Sequence, residues 1–177
     1  GYLSEQICHH FGSQENIEII ISKESSRLGT GGAIRNALGV IDSDPVVVVN
    51  GDSYVDLEIT ELIEMHCSKG ADATIVVSSQ ITGSGFGQVL LANDGGVTEF
   101  REKPSSDIQL SFKSAGIYCM SRDFIAQIPS GRRVSLENEV LPNRLKTSRI
   151  YGYEIGEPVY DIGTRDGYEM FLDLGRK

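Results

Sequence analysis

Two aspartates stand at the ends of apolar runs. Asp52 closes Pro45-Val46-Val47-Val48-Val49-Asn50-Gly51-Asp52, and Asp161 sits in Val159-Tyr160-Asp161-Ile162-Gly163-Thr164. β-Branched runs that break at small polar residues read as strands ending in tight turns, the first of them a buried, central strand. The carboxyl edge of an open α/β sheet is where such sheets bind ligands. Two carboxylates there are the hard oxygen donors that a magnesium ion takes while keeping several waters. For Asp161, a carboxylate that caps the turn after it is the plainer account.

Two other stretches have chemical potential. Leu28-Gly29-Thr30-Gly31-Gly32-Ala33 runs into Ile34-Arg35-Asn36-Ala37-Leu38, so small residues precede a helix start. Glycines let a ligand approach the backbone, and free N–H groups with the helix dipole favour a base edge or a phosphate. The spacing is neither GxGxxG nor a P-loop, and a turn that simply needs small residues explains it as well. Glu102-Lys103-Pro104 offers a carboxylate for sugar hydroxyls and an ammonium for phosphate. A solvated loop with an incidental ion pair is its alternative.

The elements around these stretches alternate. A short helix ends at Phe11, and Asn16 to Ser22 reads as a strand. Strands are expected at 45–49, 73–79, 87–91, 97–101, 112–120, 149–155 and 159–162. Helices are expected at about 58–68 with Thr60 or Asp56 as cap, 122–128, 136–145 introduced by Ser135 with Glu137 to Glu139 in its first turns as the helix dipole prefers, and 166–174. Asn93-Asp94-Gly95-Gly96 should turn a hairpin. Strands alternating with helices predict a three-layer α/β domain with a largely parallel sheet.

With 177 residues the chain fits one domain with a real core. Its 16 basic and 25 acidic residues, a formal charge of −9, argue against nucleic acid or an anionic membrane as partner. No apolar run is long enough to span a bilayer, and no signal-peptide pattern opens the chain. Cys8, Cys67 and Cys119 are odd in number and widely spaced, which predicts reduced, buried thiols in a cytoplasmic protein. Cys8, His9 and His10 are adjacent and point to different faces of a helix, so they do not predict a metal site.

In order and approximate spacing, six motifs resemble the sugar-1-phosphate nucleotidylyltransferases: Leu-Gly-Thr-Gly-Gly-Ala (28–33), Asn-Gly-Asp (50–52), Phe-Gly-Gln-Val (86–89), Phe-Arg-Glu-Lys-Pro (100–104), Ala-Gly-Ile-Tyr (115–118) and Asp-Ile-Gly-Thr (161–164). The chain looks most like the bacterial branch that contains D-glycero-D-manno-heptose 1-phosphate guanylyltransferase. The resemblance implies a Rossmann-like nucleotide-diphospho-sugar transferase fold with a mostly parallel mixed sheet. It also implies transfer of GMP from GTP to a heptose or mannose 1-phosphate, with loss of pyrophosphate, for surface polysaccharide synthesis. By similarity, Gly29, Thr30 and Gly31 lie against base and ribose. Asp52 and Asp161 hold magnesium, Gly87 passes close to the sugar, Glu102 binds its hydroxyls and Lys103 its phosphate. Gly116 belongs to the Ala-Gly-Ile-Tyr motif, and Ser114 stands where many relatives carry a sugar-contacting asparagine.

The family's leading glycine-rich loop, with its triphosphate-binding arginine and lysine, has no counterpart in the sequence. The expectation is therefore a nucleotidylyltransferase domain over residues 1–177 without its first strand–loop–helix unit, with little activity alone. Catalysis would rest on Asp52, Lys103 and Asp161, the substrates being a nucleoside triphosphate and a sugar 1-phosphate, with a homo-oligomer allowed. Alternatives are a non-catalytic nucleotide-sugar-binding subunit, an enzyme using UTP or dTTP, and a glycosyltransferase whose Asp-x-Asp would be Asp42-Ser43-Asp44.

Overall fold

A computed structural model describes residues 4–11, 17–81, 86–102 and 112–174. In chain order its elements are α1 (Ser4–Phe11), α2 (Gly29–Ala37), β1 (Val46–Val49), β2 (Ser53–Tyr54), α3 (Ile59–Ser68), β3 (Ala73–Ser78), β4 (Gln88–Leu91), β5 (Val97–Arg101) and β6 (Phe112–Met120). They continue with α4 (Arg122–Ala126), a π-helical turn (Leu136–Val140) leading into α5 (Leu141–Arg144), β7 (Ile150–Ile155), β8 (Tyr160–Asp161) and α6 (Arg165–Leu174).

The long strand β6 organises the sheet. Along one edge it pairs with β3, from Ala73 opposite Met120 to Ser78 opposite Lys113. Its other edge takes β4 near its start, with Gln88 opposite Lys113, and β1 near its end, with Val46 opposite Met120 and Val49 opposite Ile117. β7 lies parallel to β3, and β5 pairs with β4. Hence β1, β3, β4 and β7 point one way and β5 and β6 the other. The sheet is mixed, as expected; because β6 runs against the strands it bonds, most hydrogen-bonded pairs are antiparallel while the strand directions keep a parallel majority.

Alternation along β3 feeds both faces. Ile75 and Val77 join Tyr118, Met120, Phe124, Ile125, Leu136 and Leu141 on one side. Val76 joins Leu62, Ile117 and Cys119 on the other. Helices α2, α4 and α5 cover the first face and α3 the second, giving three layers. Leu62, fully buried, contributes about 2 kcal/mol of transfer free energy to the second contact. The β4–β5 hairpin turns where expected, Gly95 taking φ +84°, and its tip reaches β7, where Gly152 N–H donates to the Gly95 carbonyl at 2.9 Å. A Cβ on Gly152 would lie 2.6 Å from Leu91.

Several expectations are corrected. Residues 17–22 form no strand; Ile17, Ile19 and Ile20 are exposed, because no described strand offers their backbone groups the partners a strand requires. β1 bonds only to β6 among the described strands, and Val49 is 52% exposed, so this run is an edge and not a buried centre. The helix expected at 136–145 splits into the π turn and α5. Ser135 does cap it, its Oγ accepting from Asn138 N–H at 3.1 Å, but Pro142 lacks the N–H that would carry a regular ladder through. Neither Thr60 nor Asp56 caps α3, whose first residue follows Glu58 without a side-chain cap. All three cysteines are free, yet only Cys119 is buried; Cys8 is half-buried and Cys67 exposed.

Candidate functional site

The two aspartates converge. Ser53 and Tyr54 pair with Asp161 and Tyr160 in a short antiparallel ladder. Ile162 N–H donates to the Asp52 carbonyl at 2.8 Å. Tyr54 packs edge-on against Phe171 of α6, ring centres 4.7 Å apart, which pins the ladder to the last helix. As a result Asp52 Oδ2 and Asp161 Oδ1 lie 3.0 and 3.1 Å from the one position that a Cβ would occupy on Gly163. The turn reading of Asp161 is also correct, since its Oδ1 accepts from Gly163 N–H at 3.0 Å. Capping and convergence therefore use the same carboxylate. Two carboxylate oxygens facing one small space, over a residue with no side chain, form the oxygen-rich donor set that a hard divalent cation takes. The pair fits magnesium with water completing the shell. Among the described residues no group of three or more acidic, histidine or cysteine side chains gathers in this way.

Beside the ladder opens a pocket of about 150 Å³ lined by Thr30, Asn50, Phe86, Gly87, Phe100, Glu102, Ser114, Gly116, Tyr118 and Glu137. Five of the residues expected from sequence meet here: Thr30, Gly87, Glu102, Ser114 and Gly116. Gly116 is held at φ +72°, where a side chain is strained, and a Cβ on it would sit 2.7 Å from Asn50 Nδ2. It lies in an irregularity of β6, where Ile75 faces Tyr118 but Val77 faces Ser114. Extra residues of this kind re-aim side chains next to sites. The Gly116 carbonyl accepts from Asn50 N–H at 2.9 Å, so the Asn-Gly-Asp tip is fastened to the pocket wall. Gly87 yields room to Phe100 and Glu102, whose Oε2 is 3.1 Å from where its Cβ would be.

Gly29 and Gly31 do not line this pocket. Their missing side chains make way for the chain: a Cβ on Gly29 would come 2.6 Å from the Val134 carbonyl, and one on Gly31 3.2 Å from Leu136 N. Lys103 lies outside the described residues.

Glu137 was missed as a site residue. From sequence, its place in the first turn after Ser135 suggested only a favourable partner for the helix dipole. In the fold it is buried, and its Oε2 accepts from Thr30 Oγ1 at 2.6 Å and from Ser135 Oγ at 3.1 Å. Among the described residues none of the ion pairs involves it. The signal lay in the π turn that aims it, an irregularity frequent at functional sites, which has no simple sequence code. Tyr118, the last residue of Ala-Gly-Ile-Tyr, also lines the pocket. Burial pushes its phenol well up from the ordinary range, with the Glu137 carboxylate adding to the effect, so it stays a proton donor. The pocket thus sets two carboxylates among three hydroxyls, a lining suited to a neutral polyhydroxyl group.

Comparison with known proteins identifies the family. The nucleotidyl transferase family model matches residues 2–173. Mannose-1-phosphate guanylyltransferase of Mycobacterium tuberculosis is 34% identical over 159 residues, 89% of this chain and 44% of that protein. D-glycero-alpha-D-manno-heptose 1-phosphate guanylyltransferase of Aneurinibacillus thermoaerophilus is 29% identical over 170 residues, covering 95% of this chain and 72% of the other. The crystal structure of HddC from Yersinia pseudotuberculosis, also solved with GMP-PN, superposes with a TM-score of 0.75 at 25% identity over 96% of this chain and 71% of its own. The chain thus spans less than half of the first of these relatives. With nearly its whole length matched, the chain belongs to the nucleotidyl transferase family.

Proposed function

We propose that the chain provides the sugar-phosphate and metal-binding part of a sugar-1-phosphate guanylyltransferase acting on a mannose or heptose 1-phosphate. The observation that carries this reading is a pocket of carboxylates and hydroxyls opening beside a convergent aspartate pair. In the reaction, a phosphate oxygen of the sugar 1-phosphate forms a bond to the α-phosphorus of GTP. The bond from that phosphorus to the bridging oxygen breaks, and pyrophosphate leaves. Such displacement needs positioning and charge neutralisation more than covalent help. Glu102 and Glu137 accept from sugar hydroxyls, with the Ser114 and Tyr118 hydroxyls beside them in the lining. Lys103, by similarity, holds the sugar phosphate. Asp52 and Asp161 would hold magnesium, which neutralises phosphate charge when bound.

The Asp-x-Asp alternative has a structural use instead. Asp44 Oδ1 accepts from Arg122 N–H at 3.0 Å, at the end of β1 away from Asn50. A cytoplasmic setting suits three unpaired cysteines. The test is calorimetric binding of mannose, heptose and glucose 1-phosphates, with pyrophosphate release measured across the four nucleoside triphosphates. Binding of a manno-configured sugar phosphate is expected, with GTP favoured over the other triphosphates in any turnover. Failure of every sugar 1-phosphate to bind would sink the reading.

A further inference from the structure

We propose that Thr30 is a positioning residue that couples the glycine loop to the sugar side of the pocket by setting the orientation of Glu137. This inference rests on the sugar-phosphate reading of the pocket. The resemblance places Thr30 against the nucleotide, but its hydroxyl is already committed elsewhere. A hydroxyl carries one proton and two lone pairs. The proton of Thr30 goes to Glu137 Oε2 at 2.6 Å, and one lone pair takes Leu136 N–H at 2.9 Å. Thr30 therefore has no proton left for a ligand while this network stands.

The backbone around it is locked in the same sense. Val134 N–H donates to the Leu28 carbonyl at 2.8 Å, and Gly32 N–H to the Val134 carbonyl at 3.2 Å. Loop and π turn thus move as one body, although about a hundred residues separate them in sequence. Within that body the Glu137 carboxylate is aimed by two hydroxyls on a single oxygen, those of Thr30 and Ser135. The Tyr118 hydroxyl is a further hydrogen-bond partner of the same carboxylate, so a sugar hydroxyl that binds Glu137 joins a set of hydroxyls already in place. Charge-assisted bonds from hydroxyls to a carboxylate are the short, strong kind, and the Thr30 bond is the shorter of the two. Binding at the loop that displaced Thr30 by a few tenths of an ångström would turn Glu137 with it.

The test uses mannose 1-phosphate and GTP as separate calorimetric titrants. Thr30→Val keeps the shape and removes the hydroxyl. It should weaken mannose 1-phosphate binding about tenfold while leaving GTP affinity within about twofold, and Thr30→Ser should restore the sugar-phosphate affinity. The sharper measurement is a double-mutant cycle with Glu137→Gln. In that background Thr30→Val should cost less than about twofold, because the carboxylate it orients is gone. Additive losses, or equal losses of both ligands, would assign Thr30 a merely structural or nucleotide-side role and overturn the inference. If wild-type protein binds mannose 1-phosphate and Thr30→Val binds it equally well, the sugar reading stands and the role of Thr30 falls. If wild-type protein binds no sugar 1-phosphate, both fall.

Discussion

Two pairs of carboxylates sit side by side in this molecule and are built in opposite ways. Asp52 and Asp161 face each other on a two-residue ladder, Asp52 exposed and Asp161 half-buried. Glu137, paired with Glu102 across the pocket, is buried and receives two hydroxyl protons on one oxygen. An anion that already has hydroxyl donors is tuned to accept one more from a neutral partner. Two anions turned toward the same small space, by contrast, repel until a cation enters. On the proposed reading the same residue chemistry divides into a metal-type site and a sugar-type site, and the surroundings, not the carboxylates, decide which is which.

The division can be broken most forcefully at Asp52. Asp52→Asn removes one charge from the pair without altering its shape. Nucleotide-sugar formation by the active protein should fall on the order of a thousandfold, with mannose 1-phosphate affinity within about threefold of wild type. Measured pyrophosphate release and calorimetry separate these outcomes; a large loss of sugar-phosphate affinity would show that the two sites are not distinct. Glu137→Gln makes the converse cut. Losing a charged acceptor costs about 2 kcal/mol, so the sugar phosphate should bind roughly thirtyfold more weakly while any magnesium-dependent rise in thermal stability persists.

Gly116 joins the two regions, so damage there should blur the comparison. Its φ of +72° and the 2.7 Å approach of Asn50 Nδ2 leave no place for a methyl group. Gly116→Ala should lower unfolding free energy by about 2 kcal/mol in urea melts and weaken both sites together. An alanine variant of native stability would mean that the bulge in β6 can relax without them.

Much of this was legible before the fold was known. A β-branched run located β3, mixed aromatic and aliphatic runs located β6 and β7, and Asn93-Asp94-Gly95-Gly96 located the hairpin, because these signals are local. The convergence of Asp52 and Asp161 was suggested only by the order of motifs, since pairing between residues so distant in sequence has no local code. Glu137 escaped because propensity offered a sufficient reason for an acid after Ser135, and the π turn that buries it depends on tertiary packing against the glycine loop. At glycines 29 and 31 the sequence predicts a close approach, and on the side a Cβ would occupy the fold shows one, the chain at Val134 and Leu136.

Lowering the pH is an obvious way to ask whether carboxylates hold these sites, but a buried imidazole distant from both will answer first. His66 Nδ1 meets Thr74 Oγ1 at 2.9 Å beneath α3. Its surroundings, near Asp44 and Asp72, lie at the end of the strands away from Asn50, since Val46 and Ala73 both pair with Met120. Burial lowers its pKa from 6.5, outweighing the opposing pull of Asp44 and Asp72. A depressed histidine binds its proton more readily in the unfolded chain, so this contribution is fully present above pH 6.5 and is lost as the pH falls through the lower folded value. Urea melts at pH 7.5 and below 6.5 should show that decline in wild-type protein and a flatter profile in His66→Gln, whatever its absolute stability. Ligand affinity followed over the same pH range in His66→Gln is then free of this histidine's contribution to folding.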